Sequence, residues 1–501
     1  MSSTAPSNVT ATRTAPLRTG EEYIRSIKAD GRQVFLNGER VADVTTHPAF
    51  RGAVRSVAEL FDLAADPANR SRMTVPSPLT GDPVLRCYQV PKTAADLAAK
   101  RLFYETWAEV TFGLMGRSPD HVPGFFCGWV TKPSVIARGG QHYADNVAKF
   151  WEHLRENHRY ISYTIVPPQI DRSKPAHKQS DPSLYAGVVK ERDDGIVLRG
   201  AQQLGTGTIL SDWLQISCIT PLQPGDENYA INVAIAVNAP GVKLYSRRAF
   251  ALQATNSFDY PLTGRFDETD ALLVLEDAFV PWEQVFVYRN IELTRAQWWQ
   301  TPAHAYGNHQ AQCRFATKLR FMMGLAHRMN EITGNIANPA VLVQIGELAA
   351  LAQTVESMVR AQEAMATVDE EGVLWPHIPS LYAVMALQSE MNPRMIDLIR
   401  EMAGGVMIMQ PSSAADFDNP EMARDIERYV HSAGYASRER VALLRLIWDF
   451  IGTEFAGRHQ QYEKFYGGAS FLVKQNMFRN YDFKRATGQV DAALKLPPFY
   501  T

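Results

Sequence analysis

The sequence predicts an α+β protein made of three successive regions: helical, then β, then a helical bundle. Three observations predict it. Apolar residues recur every three or four positions before about residue 160, alternation and turn signals replace that period up to about 288, and the helical period returns from about 294. A chain of 501 residues has room for two to four cores at roughly 100–200 residues per domain.

The elements follow in order. Residues 1–17, which include MSSTAPSNVTATRTAP, lack the apolar centre of a secretion signal and read as a disordered tail. Across 18–159, the segments 54–65, 94–112 and 144–154 each carry an apolar helical face, with Pro48 and Pro119 in turns between helices. Across 160–288, residues 187–198 (GVVKERDDGIVL) read as two strands joined at Asp193-Asp194-Gly195, a hairpin signal of the Asp-Gly type. Residues 229–237 and 271–275 are further strands. Across 289–478, helices are expected at 310–333, 339–368, 380–404, 420–433 and 438–456, with short connections that suggest an antiparallel bundle. A mixed tail, 479–501, reads as lying over a neighbouring subunit.

Composition narrows the function classes. With 46% apolar and 21% charged residues, the chain is neither disordered nor fibrous. Lys+Arg 51 against Asp+Glu 53 leaves a net charge of −2, so no positive field exists to hold nucleic acid. Polar residues interrupt the apolar stretches before the ~20 residues a membrane span needs. Cys87, Cys127, Cys218 and Cys313 lie at least 40 residues apart, which excludes a disulfide scaffold and a CxxC metal site and points to a reducing, cytoplasmic setting.

Self-contained catalytic motifs are missing. His153 and His158 would stand about 140° apart on a helix, so no metal site is expected there. Gly205-Thr206-Gly207 is too short for a dinucleotide fingerprint and precedes strand-like sequence. That segment and Gly467-Gly468-Ala469-Ser470 read either as tight turns or as places where backbone approaches a ligand. In the turn 116–121 (GRSPDH), Arg117 can hold an anionic oxygen and His121 can move a proton near neutral pH. The alternative is a helix stop and restart with Arg117 paired to Asp120.

Taken together, the chain resembles the oxygenase components of two-component, reduced-flavin-dependent aromatic monooxygenases, the 4-hydroxyphenylacetate 3-hydroxylase family. The resemblance runs through RTGEEY (18–23), VTTHPAF (44–50), MGRSPD (115–120), PPQIDRS (167–173) and DDGIVLRGA (193–201). It continues through FDYPLTGRFDETDA (258–271), LEDAFVPWEQV (275–285), QPSSAADF (410–417) and GTEFAGRHQQYEKFY (452–466). It implies an acyl-CoA dehydrogenase-like fold: an N-terminal helical domain, a central β barrel and a C-terminal bundle, assembled as a homotetramer. It implies FAD delivered reduced by a separate NAD(P)H-dependent flavin reductase. A flavin hydroperoxide formed with dioxygen then hydroxylates a phenolic or related small aromatic substrate.

Carried over residue by residue, the resemblance places Gln169, Ile170, Asp171, Arg172, Thr206, Gly468, Ala469, Ser470 and Phe471 at the flavin. It places Arg117, His121, Tyr163, Ser217 and Cys218 at the substrate, the first three as the catalytic set. His121 stands where the family has Tyr, and Tyr163 where it has His. Either the exchange keeps one imidazole and one phenol facing each other across the substrate, or it marks a changed one. The changed substrate would be a halo- or nitrophenol that loses its leaving group, or an N-heteroaromatic. A remoter alternative is a flavin-binding homologue without turnover.

Overall fold

The computed structural model describes residues 17–496, so the tail expected over 1–17 lies, Leu17 apart, outside the described residues. The first region contains α1 (Gly20–Ile27), α2 (Arg51–Ala65), α3 (Arg70–Met73), α4 (Ala94–Val110), α5 (His121–Thr131), α6 (Pro133–Ile136) and α7 (Gln141–Glu156). Reciprocal caps start two of them: the Thr19 hydroxyl accepts from the Glu22 N–H while the Glu22 carboxylate accepts from the Thr19 N–H, and Thr93 and Asp96 repeat the arrangement. The helices expected at 54–65, 94–112 and 144–154 are α2, α4 and α7.

This region is not purely helical. β1 (Gln33–Leu36) and β2 (Glu39–Val41) form a hairpin, and so do β3 (Thr74–Pro76) and β4 (Pro83–Leu85). Strands of three or four residues are too short to show an alternating pattern in sequence.

The central region holds β5 (Ile161–Thr164), β6 (Gly187–Arg192), β7 (Gly195–Thr206), β8 (Trp213–Ser217), β9 (Asn232–Ala236), β10 (Val242–Ser246), the short α8 (Thr263–Phe266), β11 (Asp270–Pro281) and β12 (Val285–Val287). One sheet has the order β2-β1-β10-β11-β7-β6 and the other β12-β9-β8-β5. Arg192 pairs with Gly195, leaving Asp193 and Asp194 as the hairpin turn. A bridge between Val166 and Gln203 ties the end of β5 to β7 and so joins the sheets. Ile196, Leu198, Leu244 and Leu273 of one sheet and Leu214, Ile216, Val233 and Ile235 of the other are buried in one continuous core.

The bundle comprises α9 (Ile291–Trp299), α10 (Ala303–Ile332), α11 (Pro339–Ala364), α12 (Ile378–Ala403), α13 (Pro420–Tyr429), α14 (Ser437–Ile451), α15 (Glu454–Phe465), α16 (Ser470–Asn480) and α17 (Phe483–Leu494). The helix expected at 438–456 stops at Gly452, where the Thr453 hydroxyl caps α15 by accepting from the Ala456 N–H. The mixed tail, as far as it is described (to residue 496), is mostly helical, comprising the end of α16 and α17; residues 497–501 lie outside the described residues.

α10 is the axis of the molecule. Every residue from Ala305 to Leu319 is buried, and the helix packs on α4, α5, α11 and α12. Its buried cations fix α15. Arg314 donates to both Glu463 oxygens at 2.7 and 2.9 Å, Lys318 donates at 2.9 Å, and Gln388 of α12 adds a bond at 2.8 Å. Burial opposes the Glu463 charge, but the two cations outweigh it and hold the carboxyl at about 2.

Candidate active site

The turn between α4 and α5 meets β5 and α15, and this meeting assembles Arg117, His121 and Tyr163. Glu268, just ahead of β11, accepts the N–H groups of Gly116 and Arg117 at 3.0 and 3.1 Å. Arg458 of α15 donates to the same carboxylate at 2.9 Å, and the Tyr160 hydroxyl donates to the Arg117 carbonyl at 2.5 Å. The Arg117 backbone is thereby held from both sides.

Its side chain runs among three tyrosines. The guanidinium carbon lies 5.1, 5.3 and 4.8 Å from the ring centroids of Tyr163, Tyr462 and Tyr466. A terminal nitrogen donates to the Tyr462 hydroxyl at 2.5 Å and to the Gly116 carbonyl at 3.2 Å. Burial works against this charge, but the tyrosine oxygens outweigh it and keep the Arg117 pKa above its ordinary value. A Cβ on Gly116 would fall inside the Tyr462 ring and hydroxyl, so glycine is what admits that ring. The alternative pairing of Arg117 with Asp120 does not form. Asp120 instead accepts from the Ser118 hydroxyl at 2.5 Å and from the Gln310 amide, while burial lifts its carboxyl to about 6.

His121 opens α5. Its Nδ1 lies 2.8 Å from Gln310 Oε1 of α10, and its Nε2 is buried with no hydrogen-bond partner among the described residues. Burial, reinforced by the Arg117 charge, lowers the His121 pKa well below the usual value, so the imidazole is neutral at pH 7. The His121 and Tyr163 rings are 5.6 Å apart and tilted by 30°. An arene sandwiched between them would need about 7 Å, two ring thicknesses. The two side chains therefore line one wall side by side, rather than facing each other across a substrate. Phe125 packs edge-on against both, at 5.1 and 5.3 Å.

Beyond the end of β5 opens a cleft of about 340 Å³ whose lining includes Gln169, Asp171, Arg172, Gln202 and Cys218. Arg172 is exposed and makes no ion pair among the described residues. Asp171 accepts from the Ser173 hydroxyl and N–H at 2.6 and 3.0 Å, bonds that hold its carboxyl at about 2 and order the loop. The Gln202 amide donates to the Ser217 carbonyl at 3.1 Å, while Gln202 Oε1 is buried without a partner among the described residues. Burial pushes the Cys218 thiol up to about 11. Ile170 is 56% exposed beside the cleft.

The remaining expected residues sit elsewhere. The Ser217 hydroxyl is fully buried, donating to the Ile231 carbonyl at 2.9 Å and accepting from the Gln297 amide at 3.3 Å. Thr206 ends β7 and its hydroxyl donates to Asp270 at 2.5 Å, a carboxylate that also takes two bonds from Arg458. Gly207 has φ +73°, and a Cβ there would stand 2.5 Å from the Tyr160 hydroxyl, so internal packing alone requires this glycine. Gly468, Ala469, Ser470 and Phe471 follow Tyr466 closely and begin α16, with Phe471 62% exposed; they line neither the cleft nor the ring cluster. Among the described residues, no group of three or more His, Cys, Asp and Glu side chains is placed to hold a metal ion.

Two family models match this chain: the N-terminal part of 4-hydroxyphenylacetate 3-hydroxylase over residues 19–287 and its C-terminal part over 294–495. The chain belongs to the 4-hydroxyphenylacetate 3-hydroxylase family. It is 32% identical to a 4-hydroxyphenylacetate 3-monooxygenase oxygenase component of Pseudomonas aeruginosa, over 95% of this chain and 91% of that one. It is 34% identical to the oxygenase component of a 4-nitrophenol 2-monooxygenase of a Rhodococcus species, over 95% and 90%. A crystal structure of a 4-hydroxyphenylacetate 3-monooxygenase oxygenase component complexed with FAD and 4-hydroxyphenylacetate superposes with a TM-score of 0.90 at 32% identity, covering 95% of this chain and 98% of that one. As a member of the 4-hydroxyphenylacetate 3-hydroxylase family, the chain is a flavin-dependent monooxygenase that works with FAD and dioxygen.

The donor set fits FAD. Arg172 offers an unspent cation beside the cleft, and Gln202 Oε1 is an orphaned buried acceptor on its wall. Sequence reasoning passed over Tyr462, Tyr466, Glu268 and Gln310. The two tyrosines stand four apart inside the QQYEKFY run, a spacing that puts both on one helix side. Gln310 carried a different signal: AYGNHQAQCRFATK is helical yet polar all round, which on a buried helix means internal partners.

Proposed function

We propose that this chain is the oxygenase component that hydroxylates a phenolic or related small aromatic substrate, with Arg117, His121 and Tyr163 as its catalytic set. The observation that carries the reading is the neutral His121, its Nε2 unpartnered among the described residues, packed against the same Tyr163 ring as the Arg117 cation. FAD, when bound reduced, supplies the activated oxygen. Gln169, Ile170, Asp171 and Arg172, at and beside the cleft, would hold it, whereas Thr206 and the 468–471 segment stand away from the cleft and are assigned no contact with FAD. The chain's own part is binding, charge and exclusion of water. His121 Nε2 accepts a hydrogen bond from the phenol hydroxyl, and the negative charge that develops on that oxygen as the ring reacts lies in the field of Arg117. That charge spreads into the ring and makes its ortho carbon more nucleophilic. Tyr163 closes the wall beside His121, and Cys218, with Ser217 behind it, shapes the approach from the cleft.

The 34% identical 4-nitrophenol 2-monooxygenase favours a second reading, the same chemistry on a nitro- or halophenol; loss of the leaving group would require attack at the carbon that bears it. The phrase "oxygenase component" in both relatives' names supports a separate partner component, which we read as an NAD(P)H-dependent flavin reductase that passes its flavin by diffusion. α17 has no buried residue, and Phe478, Phe483, Val490 and Leu494 expose apolar surface along α16 and α17, which supports assembly as a homotetramer. Four free, buried cysteines support a cytoplasmic protein, and the phenol-oxygenating relatives support a role in aromatic compound catabolism. Incubation with a flavin reductase, FAD, NADH and a panel of phenols and N-heteroaromatics, followed by product analysis, tests the reading. Failure to oxygenate any of them overturns it.

A further inference from the structure

The Gln310 amide spans two groups of opposite demand. One end meets Asp120, a carboxylate that already accepts from the Ser118 hydroxyl at 2.5 Å. The other meets His121 Nδ1 at 2.8 Å. An ionised carboxylate only accepts, so the amide presents its NH₂ to Asp120 and its oxygen to His121. That oxygen accepts a proton from Nδ1, and a neutral imidazole has only one ring proton to give. Nε2 is then a bare lone pair, and it is the ring nitrogen buried without a partner.

We propose that Gln310, oriented by Asp120, holds His121 as the Nδ1–H tautomer, so that the pocket selects arenes bearing an O–H or N–H donor over arenes offering only an acceptor. Gln310 is thus a positioning residue, and the proposal rests on the reading that His121 faces the substrate. A phenol hydroxyl donates to Nε2 and turns its oxygen toward Arg117. A pyridine-type nitrogen or a methyl ether sets lone pair against lone pair, and leaves a buried acceptor unpaired. A site built around one hydrogen bond rejects the analogue lacking it strongly, here by about 100-fold or more. This separates the phenol reading from the acceptor-only heteroaromatic one. It also explains why a glutamine sits on the buried face of α10, where helix packing alone asks for an apolar side chain.

The test uses the full chain labelled with ¹⁵N-histidine and free of substrate, with His121 assigned by difference against His121→Gln in solid-state ¹⁵N spectra. The expected result is a protonated Nδ1 and a bare Nε2. Gln310→Leu loses that preference, whereas Gln310→Glu keeps Nδ1–H and raises the titration midpoint of His121. A protonated Nε2 in the unmodified chain, or an unchanged tautomer in Gln310→Leu, overturns the proposal. A second arm measures binding of phenols against their methyl ethers, 4-nitrophenol and 4-nitroanisole first. Discrimination of about 100-fold is expected to fall below about 10-fold in Gln310→Leu, and equal binding of ether and phenol to the unmodified chain overturns the selectivity. If the tautomer is as expected but no phenol binds or is oxygenated, the functional reading fails while the Gln310 assignment stands.

Discussion

The hydroxyl of Tyr462 lies 2.5 Å from a terminal nitrogen of Arg117, across the seam between the helical bundle and the α4–α5 turn. That bond and the Arg458–Glu268 pair make the bundle an organiser of a site whose central cation lies far away in sequence. Losing the forked cation should therefore hurt turnover more than folding. Arg117→Lys is expected to lower kcat/KM by about 10²–10³, the range for removing a donor aimed at developing negative charge. Its melting temperature should move by only a few degrees; steady-state kinetics beside calorimetry checks both.

Gly116→Ala tests the fit of the same ring. The added methyl would overlap Tyr462, and overpacking of this kind costs about 1–3 kcal/mol. Truncating the ring should relieve it. The double variant Gly116→Ala/Tyr462→Ala is expected to be no less stable than Tyr462→Ala alone in denaturant titrations.

Two buried carboxyls give opposite pH dependences. Asp120, lifted by burial to about 6, is less costly to fold when protonated, so its contribution is most favourable below its unfolded pKa and is lost as pH rises through about 6. Glu463, held by Arg314 and Lys318 at about 2, contributes above its unfolded pKa and loses that contribution as pH falls toward 2. Asp120→Asn should flatten the decline of stability between pH 4 and about 6. Glu463→Gln should cost about 3–5 kcal/mol at neutral pH by leaving buried cations underpaired, and should remove the acid-side slope. Unfolding curves over the pH range report both signs.

The exchange of His121 and Tyr163 predicts a specific non-additivity. Their rings are 5.6 Å apart in one packed wall, so His121→Tyr alone overfills it and Tyr163→His alone leaves a gap. The paired variant conserves the wall's volume and both functional groups. It should recover at least about 1 kcal/mol of the summed stability loss, the coupling expected of residues in contact, and part of the lost turnover. Strict additivity in a double-mutant cycle would mean that the two do not share one task.

Much of the architecture was legible because long helices and the Asp193-Asp194 hairpin carry strong local patterns. The β1–β2 hairpin was not, since four- and three-residue strands cannot show a period. Nor was the break at Gly452, where the apolar stripe continues across the cap. At the site, Arg117 and His121 stood out as reactive residue types gathered in one short turn. Gln310, Glu268, Tyr462 and Tyr466 did not, because what makes each matter is a partner more than a hundred positions away. Why Gly207 must be a glycine was not legible either, because the reason is Tyr160, which lies far from it in sequence.

In the proposed function, Arg117 and His121 together activate a phenol for attack on oxygen. Turnover with reductase, NADH, FAD and ¹⁸O₂, read by mass spectrometry, tests it most directly. The expected product carries one ¹⁸O atom, ortho to the phenol oxygen, and that label is lost in Arg117→Ala and His121→Ala chains that still fold and bind FAD. Products labelled equally well by those variants, or no labelled arene from the unmodified chain across the whole panel, would contradict it.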